Sequence, residues 1–363
     1  MTQNVRSAQR FWHSDFSLLL LVALVTLLVH VVTNGRYGFH RDELDTIDNA
    51  RRLAWGYVAY PPMTPFIARI GLTLFGLSLV GIRFFAALAQ AVVIVLVGCM
   101  ARDLGGGRLA QMTAALAVAI APISLTGGVM LQYFSFDYLW WVLIAFAMIR
   151  LLKTDNPRWW LLIGAGIGLG MMTKYTIMVL VAGVVVGVFA TPTRRYLRSP
   201  WLWGGVAVAL LIFLPNLIWQ IRHNFISLTF LSSIHARDIA WGRTKNFLPN
   251  QLFVSTSPVT LPLWVAGLYF YFWAPEGRRF RTLGWMFVTP LLLLWLAQGR
   301  DYYLGAAFPM LFAAGAVWGE GWLHRLQPRP ARWVRATGVV LFVLGALVSA
   351  LLVLPLAPVN SPV

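Results

Sequence analysis

Long apolar stretches separated by short polar segments make up most of this chain. A helix that crosses the hydrocarbon core of a bilayer needs about 20 apolar residues, and about eleven stretches approach or exceed that length. They fall near residues 16–33, 83–101, 109–127, 130–150, 159–173, 175–190, 201–219, 251–273, 282–297, 303–319 and 336–356. The pattern predicts an all-α polytopic membrane protein with about eleven transmembrane helices. Because no internal repeat or low-complexity linker interrupts it, we expect residues 1–363 to form a single transmembrane domain.

Two polar segments are much longer than the other connections, residues 34–82 and residues 220–250. The first contains the apolar run Pro61–Gly76, which begins with Pro-Pro and is too short for a span. Such a run is typical of a helix that lies in the membrane interface. Shortly before the second segment, Pro215 is expected to end a helix that Trp219 anchors at the interface.

Composition supports the membrane assignment, since 59% of the residues are hydrophobic and 11% are charged, against about a quarter charged in soluble domains. The net charge of +17 does not indicate a nucleic-acid partner, because the basic residues form short clusters between apolar stretches, as membrane loops do. These clusters are Arg102–Arg108, Lys153–Arg158, Arg194–Arg198, Arg278–Arg281 and Arg325–Arg335. Together with Arg6 and Arg10 they place the N-terminus and the basic loops in the cytoplasm. The two long segments and the turns near 128–136 and 298–302 then lie outside.

Several kinds of chemistry find no matching pattern in the sequence. The single cysteine, Cys99, offers neither an intrachain disulfide nor a metal cluster. His223 and His235 have no further ligands at a metal-binding spacing, so we interpret them as solvated loop histidines. There is no phosphate loop of an ATP-driven pump and no Gly-rich dinucleotide fingerprint. The absence of an Asp-x-Asp motif argues against a cytoplasmic sugar-nucleotide transferase.

Four of the twelve acidic residues lie close together in the first long segment, at Asp42, Glu43, Asp45 and Asp48. Three of them follow helical spacing and would share one face if Asp42 began a helix, a position that suits an acid. One interpretation is structural, with Arg41 and neighbouring arginines neutralising the acids. The other is catalytic, since a carboxylate can act as a general base.

Lys174 interrupts an apolar stretch that runs from Trp159 to Ala190. As one helix this stretch would be about 48 Å long, well beyond the roughly 30 Å core of a bilayer, and basic segments flank both of its ends. We therefore expect it to cross twice, with Lys174 in the turn at the outer face. The ammonium group either reaches lipid headgroups or binds a phosphate there.

A second outside turn contains Arg300, Asp301, Tyr302 and Tyr303. Arg300 could clamp a phosphate through its planar guanidinium, and the tyrosines could donate hydrogen bonds to it. Alternatively, the turn is an interfacial aromatic belt with a simple Arg300–Asp301 ion pair. Asp137, at the outer end of another span, is costly unless it faces protein or a water-filled cavity. It either lines a groove or pairs with an arginine.

The first outer loop resembles that of a known family. The elements that carry the resemblance are an acid pair, a short helix, a glycine and a Pro-Pro element, here Asp42-Glu43, the stretch to Leu53, Gly56 and Pro61-Pro62-Met63. Their order and spacing are similar to those of the polytopic GT-C glycosyltransferases of the protein O-mannosyltransferase and aminoarabinose-transferase type, glycosyltransferase family 39. Thr173-Lys174 and the basic-Tyr-Tyr turn with Pro309 downstream resemble two later elements of that family.

The resemblance implies a GT-C-like membrane fold and a sugar transfer at the outer face of a bacterial plasma (inner) membrane. The enzyme would be a hexosyl- or pentosyltransferase that takes its sugar from a polyprenyl-phosphate carrier and inverts the anomeric centre. Asp42 would be the general base, with Glu43 orienting substrate or assisting. The residues against the donor phosphate would be Lys174, Arg300, Tyr302 and Tyr303. Those along the acceptor or sugar groove would be Arg41, Asp45 and Asp137.

The partners implied are the lipid-linked sugar donor, membrane lipids and an acceptor that is a glycan, a lipid or a protein. No cofactor is required, although the acid cluster could hold a divalent cation. Larger members of the family often carry a soluble outer-face domain after the last span, and this sequence ends at Val363, soon after its own. The alternative functions are a transporter or lipid flippase, which inverted repeats would indicate, and a scaffold subunit without catalysis.

Overall fold

The computed structural model of the protein describes the backbone of residues 2–356 and the side chains of residues 15–356. The side chains of Arg6 and Arg10, on which the predicted N-terminal orientation rests, and the end of the chain at Val363 lie outside the described residues. Helices account for 82% of the structure, and no strand occurs within residues 2–356. The all-α prediction is confirmed.

The helices follow one another with short connections. In chain order they are α1 (Thr2–Thr33), α2 (Arg41–Arg51), α3 (Met63–Phe75), α4 (Leu79–Asp103), α5 (Arg108–Ala119), α6 (Pro122–Val129), α7 (Tyr133–Thr154), α8 (Trp159–Met171), α9 (Ile177–Ala190), α10 (Pro200–Arg222), α11 (Ile226–Ala240), α12 (Phe247–Asn250), α13 (Leu261–Phe272), α14 (Arg281–Leu296), α15 (Phe308–Arg325) and α16 (Pro328–Val353). Shorter 3₁₀ segments cover Pro192–Arg198, Pro258–Thr260, Pro275–Phe280 and Asp301–Ala307, and a π-helical turn covers Gln251–Ser255.

Six segments of the described chain are helical, long and apolar enough to cross a membrane. They are Asp15–Thr33, Leu79–Asp103, Tyr133–Thr154, Pro200–Arg222, Asp301–Arg325 and Pro328–Val353. The number rises to nine if each of three bent helix pairs counts as one span. The predicted number of about eleven is therefore not confirmed. Some predicted spans coincide with shorter helices, such as α8 with 13 residues, which is about 20 Å long.

All three bends fall directly before a proline. They measure 59° between α5 and α6, 101° after α9, and 98° between Phe247–Ser255 and Pro258–Phe272. The ring of a proline disfavours helical backbone at the preceding residue. The three preceding residues are extended, and they are Ala121, Thr191 and Ser257. The predicted spans 109–127 and 251–273 are therefore not continuous helices.

Proline does not end every helix of this chain. α10 continues through Pro215 to Arg222, so the prediction that Pro215 ends this helix is wrong. Membrane helices tolerate proline because neighbouring groups satisfy the carbonyl that loses its hydrogen bond. The continued helix carries two polar side chains, Asn216 and Gln220, toward the end of the bundle where the two long loops meet.

Small residues set the distance between packed helices. A Cβ atom on Gly164 of α8 would lie 2.0 Å from the carbonyl oxygen of Gly205 in α10. A Cβ atom on Gly315 of α15 would lie 1.8 Å from the carbonyl oxygen of Leu263 in α13. Larger side chains would push both helix pairs apart. Close approach of this kind stabilises membrane helices, since lipid tails supply no hydrophobic driving force for their association.

The two long loops meet at one end of the helix bundle. α2 and α3 lie in the segment predicted to be the first outer loop. α3 has 13 residues and is therefore about 20 Å long, shorter than the roughly 30 Å core of a bilayer. α11 lies in the segment predicted to be the second outer loop. The turn between α8 and α9 and the 3₁₀ segment Asp301–Ala307 reach the same end, where their side chains touch.

Candidate active site

The first outer loop enters α2 through a capped N-terminus. The Nδ1 atom of His40 accepts a hydrogen bond from the Asp42 amide at 3.2 Å, and Glu43 accepts one from the His40 amide at 2.9 Å. This reciprocal arrangement is a capping box with His40 as the N-cap. The helix begins at Arg41, one residue before Asp42, and both Asp42 and Glu43 lie in its first turn.

Glu43 is fully buried and ties α2 to the rest of the bundle. Its Oε1 accepts hydrogen bonds from Arg83 Nε at 2.8 Å and from the Leu131 amide at 2.9 Å. Its Oε2 accepts one from Arg83 Nη2 at 2.7 Å, besides the bond from the His40 amide. A carboxylate has about four acceptor positions, and protein groups fill them here. Nothing is left on Glu43 for a substrate hydroxyl.

Asp42 and Asp45 lie one helical turn apart on the exposed side of α2. The Asp42 side chain is 45% exposed, with Arg41 Nε 3.3 Å from Oδ1, and its Oδ2 accepts a hydrogen bond from Gln132 Nε2 at 2.9 Å. Asp45 Oδ2 accepts one from the Tyr60 hydroxyl at 2.5 Å. Burial and this hydrogen bond raise the pKa of Tyr60, which keeps the phenol a donor. Because nearly half of its side chain is exposed, Asp42 remains accessible to a substrate.

Lys174 lies in the turn between α8 and α9 and is 9% exposed. Its Nζ is 3.9 Å from the ring centroid of Tyr303 and 5.0 Å from those of Tyr133 and Tyr302. Within the described residues, no protein group accepts a hydrogen bond from this ammonium. Burial lowers the pKa of Lys174, while the Asp137 carboxylate raises it. An ammonium packed among aromatic rings does not have the geometry of a lysine that reaches lipid headgroups.

Asp137 lies in the second turn of α7, behind Lys174. The residue is 5% exposed, its Oδ2 accepts a hydrogen bond from the Thr176 hydroxyl at 3.3 Å, and its Oδ1 has no partner among the described residues. Asp137, Lys174, Tyr302 and Tyr303 line a void of about 10 Å³, close to the smallest volume that holds one water. Asp137 thus lies beside Lys174 in this small void.

Arg300 pairs with Asp238 of α11 and not with Asp301. The Nε atom of Arg300 donates to Asp238 Oδ2 at 2.6 Å, so the simple Arg300–Asp301 pair is not formed. Asp301 accepts hydrogen bonds from the Asn250 side chain and from the Tyr302 amide, the second at 2.8 Å. The bent segment 247–255 therefore supports the turn that presents Arg300 and Tyr302.

Lys174, Arg300 and Asp238 border a cavity of about 280 Å³. Its lining also includes Tyr303, Tyr60 and Tyr133, and α11 contributes Leu231, Ile234, His235 and Asp238. Two of the four carboxylates of α2 connect to this lining. Asp45 binds Tyr60, and Asp42 binds Gln132, the neighbour of Tyr133. The acidic face of α2 thus lies beside the cavity. His235, interpreted as a solvated loop residue, is part of its lining.

A buried polar network, not anticipated from the sequence, connects the two outer loops. The Tyr175 hydroxyl donates to Asn216 Oδ1 at 2.8 Å, and Gln220 Nε2 donates to that hydroxyl at 2.8 Å and to Ser227 Oγ at 2.7 Å. Asn216 Nδ2 and Ser227 Oγ donate in turn to main-chain carbonyls of the first outer loop, at 2.7 and 2.9 Å. Tyr175 also lines the cavity. The sequence signal for this network was a pair of amide side chains, Asn216 and Gln220, four residues apart in an apolar helix.

Sequence reasoning also missed Arg83 and Asp238, the partners of Glu43 and Arg300. A lone arginine near the start of an apolar helix is a signal for a buried acid, because an unpaired charge is costly there. Asp238 carried no comparable signal, since it lies in a polar loop among basic residues. The sequence left open whether the acidic cluster holds a divalent cation. Residues 15–356 contain no group of three or more His, Cys, Asp or Glu side chains placed to hold a metal ion.

Comparison with known proteins gives matches in sequence and in fold. The family described as dolichyl-phosphate-mannose-protein mannosyltransferase matches residues 59–219. The chain is similar to the lipid A galacturonosyltransferase RgtD of Rhizobium johnstonii, with 26% identity over 291 residues, 77% of this chain and 59% of RgtD. It is also similar to the lipopolysaccharide core galacturonosyltransferase RgtB of the same organism, with 30% identity over 217 residues, 56% of this chain and 41% of RgtB.

The fold is that of a solved membrane protein. ArnT of Cupriavidus metallidurans, in a crystal structure bound to undecaprenyl phosphate, matches with a TM-score of 0.67 and 21% identity over 95% of this chain and 66% of ArnT. The predicted resemblance to the polytopic GT-C glycosyltransferases, and with it the GT-C-like membrane fold, is confirmed. The chain spans about three fifths of the length of RgtD.

Proposed function

We propose that this relative of the GT-C glycosyltransferases moves a sugar from a polyprenyl-phosphate carrier to an acceptor at the outer face of the bacterial inner membrane. The observation that carries the proposal is the convergence of Lys174 and Arg300 on one cavity, with the accessible Asp42 carboxylate beside it. Cations suit a departing phosphate, and a carboxylate suits the activation of an attacking hydroxyl. The N-terminus and the basic loops would then face the cytoplasm.

The donor phosphate is proposed to bind between Lys174 and Arg300. The Lys174 ammonium has three N–H donors that no described protein group uses, and Arg300 adds a second cation. Tyr302 and Tyr303 would complete the site through their hydroxyls. The cavity of about 280 Å³ is near the lower limit of small-molecule sites, about 300 Å³, and the polyprenyl tail would remain in lipid. The likeness to ArnT bound to undecaprenyl phosphate supports a donor of this class.

The proposed reaction is a single displacement with inversion. The acceptor oxygen forms a bond to the anomeric carbon while the bond from that carbon to the phosphate oxygen breaks. The Asp42 carboxylate takes the proton of the acceptor hydroxyl. Polyprenyl phosphate leaves with the electron pair, and Lys174 and Arg300 stabilise the charge that develops on it. Every group in this step belongs to the chain or to the two substrates.

The remaining predicted site residues are proposed to have supporting parts. Glu43, whose acceptor positions are filled, positions α2 and hence Asp42. Asp137 keeps the Lys174 ammonium directed at the cavity. Arg41 and Asp45, both on the exposed side of α2, would contact the acceptor or the sugar. That residues 1–363 form one transmembrane domain stays a prediction.

The names of the curated relatives point to an acceptor class. RgtD is named for lipid A and RgtB for the lipopolysaccharide core, and both are named galacturonosyltransferases. We therefore propose an envelope glycolipid of the lipid A or core type as acceptor, and a hexuronic acid as the first donor sugar to test. Both substrates would meet at the outer surface of the membrane.

The experiment that tests this function is mass spectrometry of envelope glycolipids from cells with and without the gene. The proposal predicts that deletion removes the mass of one glycosyl residue from a glycolipid species. It also predicts that the complete gene restores that mass. Identical glycolipid spectra from the two strains, under conditions in which the protein is present in the membrane, would contradict the proposal.

A further inference from the structure

α11 contributes to the lining of the cavity and is fixed by polar contacts near its two ends. Ser227 and Asp238 are its two buried residues. Ser227 Oγ donates to the Tyr57 carbonyl at 2.9 Å and accepts from Gln220 Nε2 at 2.7 Å. Asp238 makes the ion pair with Arg300. The helix is therefore held by hydrogen bonds, and one of them ends on a cation of the cavity.

The contact between Asp238 and Arg300 uses one edge of the guanidinium. The hydrogen bond runs from Nε to Oδ2 at 2.6 Å, which leaves the two Nη groups outside this bond. The Tyr302 hydroxyl lies close enough to interact with the guanidinium. Arginine binds phosphate best through two parallel N–H donors in a fixed plane. A carboxylate on the Nε edge fixes that plane while the Nη groups remain for an anion.

The positive charges around Asp238 allow its carboxylate to keep its position when an anion binds nearby. Arg237 Nη2 lies 3.7 Å and Arg243 Nη1 3.5 Å from its Oδ1, besides Arg300 on Oδ2. Three guanidinium groups surround one carboxylate, so the cluster keeps a positive charge. Burial acts to raise the pKa of Asp238, but these arginines hold it below its usual value. The carboxylate therefore remains charged and keeps its hold on Arg300.

We propose that Asp238 is a positioning residue that orients the Arg300 guanidinium for the donor phosphate. The inference rests on the proposed function, because it assumes that Arg300 binds that phosphate. Asp238 acts through Arg300 and does not touch the donor. Without the carboxylate, Arg300 samples several rotamers, and the phosphate must order it on binding.

The test is a double-mutant cycle on binding of undecaprenyl phosphate, measured by isothermal titration calorimetry on the purified chain in nanodiscs. The variants are Asp238→Asn, Arg300→Gln and the double variant, with Asp48→Asn as the matched control. Asp48 is an exposed carboxylate of α2. Loss of one charge-assisted hydrogen bond is expected to weaken binding roughly tenfold. Asp238→Asn should have this effect with kcat nearly unchanged and KM for the donor raised.

In the Arg300→Gln background, Asp238→Asn should produce no further loss, because the residue through which it acts is gone. An equal loss in both backgrounds would show that Asp238 only anchors α11 and would overturn the inference. Unchanged or tighter binding by Asp238→Asn would overturn it as well. If Arg300→Gln itself binds like the wild type, the proposed donor site fails instead. Asp238→Glu, which keeps the charge, should bind undecaprenyl phosphate with intermediate affinity. It replaces Asp238→Asn in the cycle if Asp238→Asn does not fold.

Discussion

Arg83 donates two hydrogen bonds to the carboxylate of Glu43, from Nε to Oε1 at 2.8 Å and from Nη2 to Oε2 at 2.7 Å. The side chains are 3% and 0% exposed, and they join α4 to the first turn of α2. Because of this ion pair, the two acids of the Asp42-Glu43 motif have different environments. Glu43 holds the helix, and Asp42, with a half-exposed carboxylate, is left for chemistry.

Glu43→Gln is expected to destabilise the protein. The substitution removes the charge that compensates Arg83, and a buried ion pair that loses one partner costs about 3–5 kcal/mol. We expect a lower midpoint of thermal unfolding in detergent and a parallel loss of activity. Asp48→Asn, an exposed acid of the same helix, should leave the midpoint unchanged. A wild-type midpoint for Glu43→Gln would contradict the structural part given to this residue.

The acid pair could be recognised from the sequence, but the sequence could not tell which of its two members is buried and which is exposed. Adjacent acids on a helix point in different directions, and which one is buried depends on a partner 40 positions away. The same limit applies to Arg300 and Asp238, which are 62 positions apart. The apolar pattern and the short basic loops did predict that the acidic helix, Lys174 and Arg300 belong to one end of the bundle, because orientation follows from local composition.

The three bends were predictable in principle. Each falls at a residue followed by proline, as at Ser257 before Pro258. The proline ring disfavours helical backbone at the residue before it, and this clash depends only on neighbours in sequence. The bends were missed because apolar character continues across them. Proline alone is not sufficient, since α10 and α14 continue through Pro215 and Pro290.

Gly56→Ala is expected to disturb the packing of the first outer loop. A Cβ atom at Gly56 would lie 2.5 Å from the Trp219 ring and 2.8 Å from Asn216 Nδ2, so the loop or α10 must shift. We expect a lower unfolding midpoint and reduced transfer. Gly38→Ala is the matched control in the same loop, because a Cβ atom there would meet nothing within 4 Å. Equal behaviour of the two variants would show that the contact with Trp219 does not matter.

Donor binding is expected to weaken at alkaline pH because Lys174 loses its proton. Burial lowers the pKa of this lysine below its ordinary value of about 10.4, and only the ammonium attracts phosphate. The phosphate itself is fully ionised well above its second pKa of about 6. The Kd for undecaprenyl phosphate should therefore rise between about pH 8 and 10. Lys174→Arg should bind with little pH dependence, since arginine stays charged there.

The two titrations must be compared at constant ionic strength, because salt screens phosphate binding. An equal rise of Kd with pH in the wild type and in Lys174→Arg would assign the titration to another group. A flat wild-type profile would show that Lys174 does not meet the phosphate.

The central claim is that Asp42 removes the proton of the acceptor hydroxyl, while Lys174 and Arg300 bind the donor phosphate. A general base contributes about 10²–10⁴ in rate, and Asp42→Asn keeps the shape of the side chain. The most direct measurement is mass spectrometry of envelope glycolipids from a deletion strain that carries the wild type, Asp42→Asn or Asp48→Asn at equal membrane levels. We predict that the added sugar returns with the wild type and with Asp48→Asn. With Asp42→Asn it should be absent, although that variant still binds undecaprenyl phosphate. Full restoration of the sugar by Asp42→Asn would contradict the account.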